Sequence, residues 1–319
     1  MQRIITKMIL PDKVLIFFKT NALFICMIVG ILFHSFIARL SFIAPYLLFF
    51  MLLITYCRVS FRNIRPKALH LYLGFVQLAG CLLVYFTLKP FNSDLAEGCM
   101  LCVLAPAATT SVVIAGLLGG SVTVMATYSI LSNLSVALIA PCVFSAFGAY
   151  GLTVGEDINF IQAFFSICIK VMPLLLGPFI LSFILNKATP AVHRHLRNKQ
   201  IYSFWLWAVA LTIVMAGTTS KLIEMIEGNH TIFTNIVWIA LGAAAVCLLQ
   251  FQIGWFIGKK YNDKIVGGQG LGQKNTILAI WMANTFFNPL VAIAPASYVV
   301  WQNLINSYQL WKHQRNSDI

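Results

Sequence analysis

The run Gly270-Leu271-Gly272-Gln273-Lys274-Asn275-Thr276 stands inside an apolar stretch near the C-terminus. A charge there costs roughly 2.5–3.5 kcal/mol on membrane-insertion scales. It persists where it faces a polar cavity and has a role. A second interruption, Ala105-Pro106-Ala107-Ala108-Thr109-Thr110-Ser111, breaks an apolar stretch in the first half of the chain. Two broken hydrophobic segments at corresponding places in two halves point to a transporter binding site.

Composition sets the class. The 319 residues are 60% hydrophobic and 10% charged, with a mean hydropathy of +0.85. A soluble domain carries about one-quarter charged residues, so the chain reads as an integral membrane protein. The net charge of +13 raises nucleic acid as a partner, but the basic residues sit in short segments between apolar runs and form no stripe interleaved with aromatics. No nucleic-acid partner is expected; membrane lipid is. The eight cysteines lie almost wholly within apolar runs. Cys99 and Cys102 make a Cys-x-x-Cys without a neighbouring His and read as small hydrophobes. Neither a metal nor a cofactor is expected.

Ten apolar segments have the length of helical spans: 21–37, 41–57, 68–88, 96–118, 121–147, 160–186, 200–218, 232–257, 268–288 and 289–311. The alternative count is nine, with 14–37 lying partly in the interface. Arg3, Lys7, Lys13 and Lys19 precede the first segment, but no small-x-small cleavage site follows convincingly, so it reads as an uncleaved span. With the N-terminus cytoplasmic, 17 of the 22 Lys and Arg fall on that side, chiefly in 58–67, 187–199 and 259–264. Arg39, Lys89 and Lys221 fall outside, as do Asp94, Glu97, Glu156, Asp157, Glu224 and Glu227. This asymmetry predicts a multi-pass protein of the plasma (inner) membrane with both termini cytoplasmic. The two halves, about 14–150 and 160–311, carry five segments each. Five is odd, so the fold expected is all-α: two inverted five-helix repeats in one transporter domain.

Pro106 has no N–H to give the preceding turn, and the small and hydroxyl residues Thr109, Thr110 and Ser111 after it can satisfy freed backbone groups. The same pattern also fits a simple proline kink. Gly267, Gly268, Gly270 and Gly272 weaken helix ahead of Lys274. Unwinding is therefore expected at Ala107–Thr110 and Gly270–Lys274, the two breaks meeting. Lys274 lies about seven residues into its segment, ~10 Å at 1.5 Å per residue. It can snorkel, or form a site with Asn275 and Thr276, which the polar neighbours favour. Lys170 has no such company and reads as snorkelling. Gln77 is a lone amide on an apolar helix. Ser129 and Asn133, four apart on one face with Ser132 beside them, either line a cavity or bond across helices.

The pattern Ala105-Pro106-x-x-Thr109-x-Ser111, continuing through Gly120 to Ser129 and Pro141, resembles the first crossover of the bile acid:sodium symporter family, Pro-Gly-Gly-Thr-x-Ser-Asn. Gly272-x-Lys274-Asn275-Thr276 resembles that family's second crossover, Glu-x-Gly-x-Gln-Asn-Ser/Thr, and Trp301-Gln302-Asn303-Leu304 with Ser307 resembles its final helix. The resemblance implies a panel of spans 1, 2, 6 and 7, and a core of 3–5 and 8–10. The broken fourth and ninth helices cross in that core, with substrate beside the crossing. It also implies sodium ligands at Gln77, Ser111 and Ser129. The family's Asn is Val112 here, its next Ser is Met125, its Glu falls on Gly270 unless Gln269 takes its place, and its Gln falls on Lys274. A sodium site needs several oxygens, usually with negative charge, and this chain removes them and adds a cation.

The function expected is secondary-active transport of a small organic anion without sodium. The Lys274 ammonium would stand where sodium would, bonded by Gln77 and second-crossover carbonyls. Whether it stays charged, or exchanges a proton as the coupling ion, is open. A non-transporting sensor or scaffold of the same fold is the alternative. An intramembrane enzyme would need a carboxylate pair, a His-rich metal set or an activated Ser, and no span holds a deep Asp or Glu.

Overall fold

The computed structural model describes residues 12–58, 64–147, 159–226 and 231–317. Arg3, Lys7, Arg62, Glu156, Asp157 and Glu227 of the charge pattern lie outside them. The helices are α1 (Asp12–Leu32), α2 (His34–Ile37), α3 (Ala44–Arg58), α4 (Ala68–Leu88), α5 (Ser93–Leu104), α6 (Thr110–Leu117) and α7 (Val122–Phe147), then α8 (Phe160–Ala188), α9 (Pro190–Arg197), α10 (Gln200–Ile226), α11 (Thr231–Lys260), α12 (Lys264–Gly272), α13 (Thr276–Phe286) and α14 (Ile293–Ser317). Five of these helices, α4, α7, α8, α10 and α11, and the continuous helical stretch His34–Arg58 are long and apolar enough to cross a membrane. The outer helix faces expose Phe36, Leu71, Phe75, Ile169 and Phe233, which suits lipid and not water. The described residues are all-helical, and the chain is a multi-pass membrane protein.

Helix falls on all ten apolar segments, and the fourth and ninth are each a pair of helices, α5–α6 and α12–α13. The seventh segment runs on to Ile226. Near that end Thr218 Oγ1 donates to Val214 O, and Lys221 reaches a backbone carbonyl of α13.

Two groups of helices pack against each other. In one, α10 lies against α1 and α3, and α3 against α8. In the other, α5 packs on α4, α11 and α14, while α12 packs on α11 and α6 on α7.

The breaks lie slightly away from the expected places. The first spans 105–109 and the second 273–275, so Gly267–Gly272 stays helical. The reason is close approach. A methyl group on Gly254 would fall on the Gly267 carbonyl, and one on Gly267 would fall on the Gly254 carbonyl. Glycines here let α11 and α12 touch backbone to backbone. Gly254→Ala must force the two helices apart, at a cost of about 1–3 kcal/mol or more. The expected result is a lower melting temperature in detergent; a variant melting with the parent would refute backbone contact as the reason for these glycines.

Candidate functional site

Breaking a helix leaves carbonyls without partners, and in this chain side chains take them. At the end of α5, Gln77 Nε2 donates to Leu104 O at 2.8 Å and Ala105 O at 3.1 Å. Lys274 Nζ donates to Val103 O at 2.8 Å. Gln250 Nε2 reaches toward Cys102 O at 3.5 Å. This corrects the expected Lys274 contact: the ammonium bonds a carbonyl of the first break, not Gln77 or the second break. It is 1% exposed, beside the carbonyl end of a half-helix, where the helix dipole favours a cation. Lys170, by contrast, is exposed, its Nζ over the Phe286 ring.

The breaks meet backbone to backbone. Ala108 N donates to Gln273 O at 2.9 Å and Asn275 N to Pro106 O at 2.8 Å, with Ala107 and Lys274 paired across an antiparallel bridge. Matching side chains hold each break. Ala107 N donates to Ser132 Oγ, and Lys274 N to Gln302 Oε1. Four residues before each acceptor is a tyrosine, Tyr128 or Tyr298. Tyr128 donates to Gln77 Oε1, and Tyr298 accepts from Gln250 Nε2.

A cavity of about 900 Å³ opens between the two helix groups at the crossing. Of the candidate site residues, Thr109, Thr110, Ser129, Lys274, Asn275 and Thr276 line it. Gln77, Ser111, Asn133 and Gln269 do not. Ser111 Oγ donates to Ala108 O, and Asn133 Nδ2 to Ser129 O. Gln269 Nε2 donates to Asn306 and Gln309, and Asn306 in turn to Gln273. These four are buried behind the crossing.

The opposite wall carries Met51, Tyr56, Phe204 and Trp207, and Arg58 and Arg197 also line the cavity. Among the described residues, no Asp or Glu lines it. The α6 N-terminus at Thr109 has no side-chain cap, whereas Asn275 caps α13 through Leu278 N.

Sequence reading missed the structural pairs Tyr128–Gln77 and Tyr298–Gln250, and the roles of Gln273, Gln302 and the two arginines. Gln250 carried the same signal as Gln77, a lone amide in an apolar span.

No family model matches the chain. It is similar to a Bacillus subtilis (strain 168) protein described as the uncharacterized sodium-dependent transporter YocS, at 23% identity over 223 residues, or 67% of this chain and 63% of that protein. The chain is a distant homologue of that protein. The match thus spans less than two thirds of the relative's length. It accords with the resemblance to the bile acid:sodium symporter family read from the crossover motifs.

Proposed function

We propose that this protein is a secondary-active transporter of a small organic anion, built as two inverted five-helix repeats around the crossed breaks. The observation that carries the anion reading is the lining of the cavity. Two half-helix N-termini, at Thr109–Thr110 and Asn275–Thr276, flank it together with Arg58 and Arg197, and among the described residues no carboxylate does. Helix N-termini and guanidinium groups both favour negative charge. The apolar wall of Met51, Phe204 and Trp207 would take the body of the solute. The repeat is supported by the parallel bonding of the two breaks, with Ser132 and Tyr128 in one half answered by Gln302 and Tyr298 in the other.

The relative is described as sodium-dependent. This chain has a lysine ammonium on Val103 O beside the crossing, and the proposal is that this fixed cation replaces the ion. Arg58 and Arg197 line the cavity, and the proposal puts their side in the cytoplasm, on the distribution of basic residues, so that the cavity faces inward. The test is a thermal-shift screen of purified protein against organic anions in sodium, potassium and choline salts. Stabilisation by one class of anion is expected, with equal midpoints in the three salts. Stabilisation by cations or neutral solutes alone would overturn the anion reading.

A further inference from the structure

Away from the cavity, the same helix that lines it is tied to α13. Near its start, α10 contributes Ser203, Phe204 and Trp207 to the cavity wall. Near its other end, roughly 20–25 Å away at 1.5 Å per residue, α10 is bonded to the core. Lys221 Nζ donates to Asn284 O at 2.8 Å, and Asn284 Nδ2 donates to Thr218 Oγ1 at 2.8 Å. Asn284 lies near the C-terminus of α13, the half-helix whose N-terminus borders the cavity. One rigid helix thus stands apart from the core at one end and is held to it at the other.

We infer that Thr218, Lys221 and Asn284 form the outer latch of an alternating-access cycle, closed when the cavity faces the basic side and broken when it faces the other. This rests on the transporter reading above.

The chemistry suits a reversible tie. Thr218 keeps its bond to Val214 O whether or not Asn284 is present, so parting strands no hydroxyl. Asn284 Oδ1 is already without a partner among the described residues, so only half of that amide is committed. Lys221 sits beside Glu224 and has a long stem that can carry its ammonium to outer water. The Lys221 bond falls on a half-helix C-terminus, where a cation is favoured by an amount that shifts a two-state balance without fixing it.

The test reads conformation, not flux. A Ser203→Cys reporter in the cavity wall is labelled with a membrane-impermeant thiol reagent added to the side bearing Arg197, and modification at that residue is followed by mass spectrometry. Lys221→Met and Asn284→Ala are each expected to slow labelling about fivefold by releasing the outer side and lowering the population open to the reagent. Lys221→Arg, which keeps a cation within reach of the same carbonyl, should label at the parent rate. Parent rates in both Lys221→Met and Asn284→Ala would overturn the latch. The readout needs no substrate, so the latch is decided even if no anion is carried. Anion-dependent stabilisation together with unchanged labelling would sink the latch alone and leave the transport reading standing.

Discussion

Lys274→Gln is expected to abolish anion uptake in sodium-free proteoliposomes, with any residual uptake appearing only when sodium is restored. The unmodified protein should transport equally in sodium, potassium and choline. The reason is the contact of Nζ with Val103 O, where an ammonium joins the second break to the carbonyl end of α5. Losing a buried charge-assisted hydrogen bond of this kind costs about 1.5–3 kcal/mol, roughly ten- to hundredfold in the occupancy of a conformation that depends on it. Glutamine is neutral and offers an oxygen, so it leaves room and one ligand for a mobile cation. Lys274→Met separates the two roles of the residue, since it keeps the stem but gives a cation nothing to bind. It should lose uptake in every salt. A sodium requirement in the unmodified protein would defeat the proposal, whatever the variants do.

The second large effect is structural. Gln77 makes four bonds beneath the crossing, donating to Leu104 O and Ala105 O and accepting from the Tyr128 and Ser132 hydroxyls. Replacing it with Leu, close in volume, leaves those four buried groups without their partner. Each unsatisfied group costs about 1–3 kcal/mol, although neighbouring losses do not add fully. At about 2–4 °C per kcal/mol for large domains, a drop on the order of 10 °C in melting temperature is expected. Gln250→Leu should cost less, because its reach to Cys102 O is 3.5 Å and Tyr298 still donates to Gly272 O. Differential scanning fluorimetry in one detergent ranks the two. Equal losses, or a larger loss at Gln250, would show that the carbonyls freed at Pro106 are satisfied in some other way.

Much of the architecture was legible in the sequence because the membrane imposes one-dimensional rules. A span must be about 20 apolar residues long and must satisfy its own backbone, so the ten segments could be counted and helix falls on each. The two interruptions were legible for the same reason, since Pro106 and Lys274 break rules that apolar surroundings enforce. The glycines before Lys274 misled, because glycine permits both unwinding and close approach. Only the facing glycines of another helix, Gly254 and Gly258, decide between them.

The candidate site was legible as chemistry and not as contact. Thr109, Thr110, Ser129, Lys274, Asn275 and Thr276 line the cavity, while Gln77, Ser111, Asn133 and Gln269 lie behind it. Periodicity places a residue on a helix face but cannot say which face meets solvent where two helices cross. The partner of Lys274 was beyond reach altogether. Val103 is 171 residues away in the chain, and its carbonyl is available because α5 ends at Leu104 and Ala107 N turns to Ser132. A helical membrane protein with two broken segments can be read along the chain, because hydrophobic length, proline chemistry and the placement of charge act locally. Tertiary structure alone decided which carbonyl the ammonium meets, which amides become scaffold and which end of α10 is tied, because those depend on how distant helices are brought together.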